Sequence, residues 1–188
     1  RVQPEVMAYA SVSEGFKAGG WNPASPAGSE AYGEEHAWHL ESGVKGGFAG
    51  GRMAASAAVF YIDWADLQLN VPNPLVPGQF YVANVGNARS RGVEVEVTAR
   101  PHAAVELFGN AGYTNARFGE GSVSSGVDVS DRLIPNTPTY TATFGAHVEH
   151  PVADAVTLFG RAETVFYGEM QYDDANTESQ EAYSLVNL

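Results

Sequence analysis

Apolar and polar residues alternate at every second position over most of this chain, the period of a β-strand whose two faces meet different surroundings. Over Val6 to Lys17, the residues Val6, Ala8, Ala10, Val12 and Phe16 share one face, and Tyr9, Ser11, Ser13 and Lys17 share the other. Trp38, Leu40 and Val44 alternate in the same way with His39, Glu41 and Lys45. Val93, Val95, Val97 and Ala99 oppose Glu94, Glu96, Thr98 and Arg100; Tyr140, Ala142, Phe144, Ala146 and Val148 oppose Thr139, Thr141, Thr143, His147 and Glu149. Met53 to Leu69 is strand-like but apolar on both sides, so its facing cannot be assigned by pattern. Phe80 to Arg100 reads as one long strand bent near Gly86. Ala103 to Ala116, Val156 to Phe166 and Tyr183 to Leu188 complete a set of about eight strands, and no stretch sustains a helical period.

In a water-soluble sandwich the apolar face of such strands packs inward. In a membrane barrel it meets lipid and the polar face lines the lumen. Alternation alone leaves both open, and the connections separate them. Gly46 to Gly51, Pro101-His102 and His150 to Asp154 are short, whereas the segments at 18–33, 69–80, 117–138 and 168–181 are long, in strict alternation. A sandwich has no reason to sort its turns in this way, but an up-and-down outer-membrane barrel keeps tight turns at one end and long loops at the other. Strands of roughly ten to fourteen residues also suit a tilted crossing of a hydrocarbon layer, and they exceed the five or six residues typical of globular sheets. Phe16, Trp21, Trp38, Trp64, Tyr81, Tyr113, Phe118, Phe166 and Tyr167 fall near strand ends, as interfacial girdles would. Ordinary core packing explains them about as well.

Composition narrows the function. The chain has no cysteine, which excludes disulfides and thiolate metal sites within it. Its formal net charge is −12 with only ten scattered Lys and Arg, so no nucleic-acid partner is expected, for want of clustered cations. Twenty-one Gly and ten Pro fit a turn-rich all-β protein. Met53 to Ile62, the longest nearly apolar run, is too short for a spanning helix. The chain starts at Arg1 and stops at Leu188 within an alternating run, so we expect it to be a piece of a longer protein.

Five segments in order resemble the C-terminal half of the barrel in TonB-dependent outer-membrane receptors. They are Tyr9 to Asn22, with its Gly15-Phe16-Lys17-Ala18-Gly19-Gly20-Trp21-Asn22 core; Glu41, Gly43 and Lys45 followed by Ala58 to Gln68; Asn84 to Ala88 with Gly92 to Glu96; Leu133 to Tyr140; and Tyr183 to Leu188. A basic residue usually precedes the Gly-Phe-Lys of that family, and here Glu14 stands in its place. The resemblance implies a barrel of about twenty-two strands around a plugged lumen. Residues 1–188 would then be one partial barrel domain, an antiparallel up-and-down meander of about eight long strands, with the plug, the TonB box and the last strands outside it. It further implies an active transporter in the outer membrane of a Gram-negative bacterium, taking up ferric siderophores or another large scarce nutrient. Its partners would be the TonB energy-transducing complex, reached through the missing N-terminal region, the ferric siderophore or similar solute, and outer-membrane lipid. Energy would enter mechanically through those partners, so no cofactor is expected.

The candidate chemistry is sparse. Glu94, Glu96, His147, Arg161 and Glu163 would face a water-filled lumen and plug. Long loops on a rigid scaffold are the better place for recognition, and Trp21, Asn22, Tyr32 and Tyr172 are the candidate ligand contacts. Trp21, Tyr32 and Tyr172 could stack on an aromatic or sugar-like solute, and loop packing explains them about as well. The segment 168–181 carries Glu169, Asp173, Asp174, Glu178 and Glu181 with no Lys or Arg. Such a run could ligate a divalent cation, but a solvated acidic face is the plainer reading, and no metal site is assigned. His147 and His150, three apart in a strand, fall on opposite faces, as do His36 and His39. Ser124-Ser125-Gly126 lacks the strand–elbow–helix context of a hydrolase nucleophile, so no catalytic residue is assigned. The alternatives are an outer-membrane barrel enzyme and a secreted β-sandwich adhesion or carbohydrate-binding module.

Overall fold

A computed structural model describes residues 6–188. In chain order its strands are β1 (Val6–Lys17), β2 (Gly20–Trp21), β3 (Ala31–Tyr32), β4 (Glu35–Phe48), β5 (Met53–Ala65), β6 (Gln68–Pro72), β7 (Phe80–Asn84) and β8 (Ala88–His102). They continue as β9 (Val105–Phe118), β10 (Val123–Ser124), β11 (Val127–Asp128), β12 (Tyr140–Ala153), β13 (Val156–Tyr167), β14 (Met170–Gln171), β15 (Ser179–Gln180) and β16 (Tyr183–Asn187). Eight of them form one antiparallel sheet in the order β1-β4-β5-β8-β9-β12-β13-β16, an uninterrupted meander. The other eight pair two by two into ribbons, one inside each long loop. The all-β reading and the alternation of connections are therefore correct. The tight turns are narrower than the pattern suggested, because β8 runs on through Pro101-His102 and β12 through Pro151 to Ala153. Both prolines sit at register shifts, where a missing N–H costs the ladder nothing.

Two sequence expectations need correction. The segment from Met53 is not one strand to Leu69: β5 ends at Ala65, Asp66 takes φ 56°, and β6 begins a separate ribbon at Gln68. Nor is Phe80 to Arg100 one bent strand. Phe80–Asn84 pairs with β6 outside the large sheet, and Gly86 at φ 123° breaks the chain direction before β8 begins at Ala88. Alternation cannot see this, because the ribbon and the sheet share period two.

Register resolves the facing of the ambiguous strand. Ala8, Val44, Ala57, Val95, Ala111, Ala142, Phe166 and Ser184 are successive cross-strand partners across all eight strands. Met53, Ala55, Ala57, Val59 and Tyr61 thus belong to the apolar face of the sheet, and Ser56, Phe60 and Trp64 to the polar one. A neighbouring row, Tyr9, Gly43, Ala58, Glu94, Gly112, Thr141, Tyr167 and Tyr183, runs along the polar face. The apolar row lies four residues beyond Met53 in β5 and ten beyond Val156 in β13. That climb toward the long-loop end is the stagger that tilted barrel strands require.

Glycines on the polar face lie beneath aromatic rings of directly opposite residues. A Cβ on Gly43 would lie 2.8 Å from the Tyr9 ring, and one on Gly92 would lie 2.5 Å from Phe60. Phe108 covers Gly145 in the same way, and the Arg161 guanidinium sits 4.5 Å above the Phe108 ring. Each ring shields backbone that glycine leaves bare.

No second layer covers either face of the long strands. Val12, Phe16, Val59, Phe144, Leu158 and Val186 are all more than half exposed on the apolar face. A soluble sheet buries its apolar face against another element, and among the described residues this one has none. The buried core, built on Leu67, Val71, Tyr81, Val85, Phe118 and Val129, lies instead among the long loops.

Candidate functional site

The four long loops form a continuous belt at one end of the sheet, and asparagines fasten it. A carboxamide carries a donor and an acceptor spaced like a peptide group, so it can pair with one residue's N–H and C=O as a neighbouring strand would. Asn22 does this to Val82, accepting from its amide at 2.9 Å and donating to its carbonyl at 2.9 Å. Asn84 does it to Gly33, at 2.7 and 3.2 Å. Asn176, in the left-handed region that Asn tolerates (φ 54°), does it to Leu133, at 2.7 and 2.9 Å. The first two clamps join the loop carrying β2 and β3 to that carrying β6 and β7; the third joins the loops of β10–β11 and β14–β15.

Gln68 reinforces the first joint. Buried at the start of β6, it donates to the Ala18 and Gly33 carbonyls at 3.1 and 2.8 Å, while its amide donates to the Glu35 carboxylate at 2.7 Å. Backbone bonds close the middle of the belt, from the Val123 amide to Val85 at 2.8 Å and from the Gly119 amide to Asn87 at 2.7 Å. Gly86 is required here, since a Cβ would meet the Ser122 hydroxyl at 2.8 Å on a backbone at φ 123°.

Of the acidic residues of 168–181, Asp173 and Asp174 are half-buried and hydrogen-bonded, while Glu169, Glu178 and Glu181 are exposed. Burial opposes ionisation of Asp173, but donors from the Glu178 amide and from the Thr177 hydroxyl and amide outweigh it and hold the carboxyl below its usual range. Asp174 accepts from the Ser124 hydroxyl across the loops. In the third loop, Ser130 holds the Asp128 carboxyl down through its side chain and amide. Among the described residues no three such groups converge as metal ligands.

The predicted contacts separate into two kinds. Trp21 is 77% exposed and Tyr172 51% exposed, so both rings present open surface. Asn22 is committed to its clamp, and Tyr32 folds over Gly20, where a Cβ would lie 2.8 Å from its ring carbon Cζ. Trp21 and Tyr32 share one ribbon, whereas Tyr172 belongs to the fourth loop. The sequence reading missed Leu75 and Phe80, 74% and 60% exposed on the second loop. Asn73-Pro74 and Gly78 beside them were the available turn signal.

Phe16, Trp38, Tyr113 and Phe166 lie on the apolar face, where girdle residues would stand. The girdle reading fails for Trp64, Tyr81 and Phe118, which pack in or against the loop core, for Tyr167, which stacks on Tyr183 at 5.0 Å on the polar face, and for Trp21, which is a loop residue. Glu94, Glu96, His147, Arg161 and Glu163 all fall on the polar face.

Asn176→Ala removes both bonds to Leu133 while leaving the sheet intact, at a local cost of about 1–3 kcal/mol. Hydrogen exchange at the Leu133 amide should accelerate at least tenfold, with exchange in β8 and β9 unchanged. Unchanged Leu133 exchange would show that the clamp does not order the loops.

A sequence model of the family described as TonB dependent receptor-like, beta-barrel matches residues 1–188. Among solved structures, the ferric yersiniabactin uptake receptor FyuA from Yersinia pestis is 23% identical with a TM-score of 0.79, and the match covers 96% of this chain and 26% of that one. The ferric preacinetobactin receptor BauA from Acinetobacter baumannii is also 23% identical, with a TM-score of 0.70 over 96% of this chain and 26% of its own. The copper transporter OprC is 14% identical, with a TM-score of 0.65 over 96% of this chain and 28% of its own. The chain spans about a quarter of the length of these relatives.

Proposed function

The chain belongs to the TonB-dependent receptor-like β-barrel family, and from that premise we propose that it is the ligand-capturing wall and loop belt of an outer-membrane active transporter. The transporter resides in the outer membrane of a Gram-negative bacterium and takes up a ferric siderophore or another large scarce solute. One observation carries the reading: a single-layer sheet leaves its whole apolar face uncovered, while its buried core and most of its side-chain hydrogen bonds sit in the loops at one end. Lipid supplies the missing layer, and the long-loop end faces outward. Further strands of the same barrel pair with the edges at β1 and β16. A plug N-terminal to this segment meets the polar face, including Glu94, Glu96 and the Arg161–Glu163 pair, whose N···O distance is 2.6 Å.

Ligand is captured on the loops, with Trp21 and Tyr172 as exposed contact surfaces. Asn22 and Tyr32 act by holding the Trp21 ribbon in place. Transport is driven through TonB, so the wall has no reaction to perform. The intact receptor, expressed in an iron-starved Gram-negative strain lacking its own siderophore receptors, should restore growth on at least one ferric siderophore of a panel, only when TonB is present. Trp21→Ala with Tyr172→Ala should weaken binding of that siderophore about tenfold, the loss of roughly one stacked ring's worth of contact energy. Growth independent of TonB would overturn the transport reading; unchanged affinity would overturn the two contacts.

A further inference from the structure

The apolar face of the long strands carries one basic cluster. Lys17, Lys45, Arg100 and Arg161 lie on the polar face, whereas Arg89, Arg91 and Arg117 lie together on the apolar one, at the long-loop ends of β8 and β9. Arg89 and Arg117 are direct cross-strand partners, and Arg91 is two residues nearer the middle of the sheet. With Tyr61, Asn115 and the loop residue Ser130 they line a cleft of about 580 Å³.

The rows across the wall place this cleft at the edge of the apolar band. Val59, Val93, Tyr113 and Tyr140 form one row; directly above it come Tyr61, Arg91 and Asn115, and above those Asp63, Arg89 and Arg117. Asp63 is committed to Arg89 at 3.1 Å, and Arg117 donates to the Asp131 carbonyl at 2.6 Å. Arg91, the lowest of the three, makes neither an ion pair nor a side-chain hydrogen bond among the described residues. The other carboxylates at the cleft, Glu120 and Asp131, belong to the loop above the wall. An unpaired guanidinium beside an apolar surface calls for an anion, and its planar fork matches phosphate oxygens.

We propose that this cleft binds the phosphate-bearing head group of an outer-leaflet membrane lipid. The inference rests on the membrane reading above. Arg91 and Arg117 hold the phosphate, Tyr61 and Asn115 meet the neighbouring polar groups, and the acyl chains lie along Val93, Val95 and Ala111 below. A free phosphate would use the arginines but not this apolar path. Like-charge crowding of three arginines in a chain of net charge −12 then has a cause, since a bound phosphate relieves it.

The test uses the intact receptor purified in mild detergent from outer membranes, with organic phosphate and fatty acid measured per mole of protein. Arg91→Gln alone and Arg89→Gln/Arg91→Gln/Arg117→Gln together are compared with wild type, and the membrane-inserted fraction of each is scored first. Wild type should retain phosphorylated lipid, the single variant several-fold less and the triple variant at least tenfold less, with insertion unchanged. Equal retention in all three, or retention displaced as readily by inorganic phosphate as by lipid micelles, would overturn the lipid site alone. A wild type that never enters the membrane fraction would overturn the membrane reading itself.

Discussion

Val95→Arg in the intact receptor is expected to lower the stability of the membrane-inserted barrel by about 2–4 kcal/mol, the cost of a cation at mid-depth on a lipid-facing strand. Val95 is central in β8 and belongs to the apolar row that crosses all eight strands. Its side chain has no protein layer to move into, so the guanidinium must meet acyl chains or drag water inward. Thr98→Arg, on the opposite face of the same strand, should cost less than about 1 kcal/mol, because a lumen-facing cation stays hydrated. Urea unfolding of the two variants in lipid vesicles measures the difference directly. If Thr98→Arg proves the more damaging, the two faces are assigned the wrong way round.

Gly43→Ala should cost about 1–3 kcal/mol or block folding, an overpacking penalty at the upper end of its range because backbone cannot retreat. The added Cβ would sit 2.7 Å from the Ala57 carbonyl oxygen and 2.8 Å from the Tyr9 ring. Tyr9 could rotate away, but the carbonyl belongs to the β4–β5 ladder and cannot move without breaking it. Gly160→Ala is the contrasting case: nothing lies within 4 Å of its Cβ position, on the apolar face of β13. It should be neutral or stabilising by up to about 1 kcal/mol, because alanine loses less chain entropy than glycine. The same unfolding titration reads both, and equal effects would mean that the ring-over-glycine packing is not tight in the assembled barrel.

The open surface of Trp21 and Tyr172 and the closure of Asn22 illustrate how unevenly a loop site can be read. All three are residue types that recognise ligands, and all lie in long loops. What removes Asn22 from the open surface is a partner sixty residues away, the backbone of Val82, and no local pattern encodes that pairing. The clamp roles of Asn84, which stood out only as part of a resembling segment, and of Asn176 were not legible for the same reason. Phe80 was hidden by an opposite error, since it read as the start of a long strand when it belongs to a ribbon above the sheet.

Residue order by itself determined the all-β class, a meander of about eight strands, the split between tight turns and long loops, and the membership of each face wherever one residue in two is polar. These follow from local physics: side chains alternate along a strand, and glycine and proline mark its turns. Tertiary structure alone decided the facing of Met53 to Ala65, where both faces are apolar and only pairing with β4 and β8 breaks the tie. It alone decided which aromatics edge the wall and which fill the loop core, and it alone brought Arg89, Arg91 and Arg117 together. Hydrogen-bond register between neighbouring strands is a property of two segments at once. Cross-strand rows, clamps and clusters therefore appear only when the strands are laid side by side.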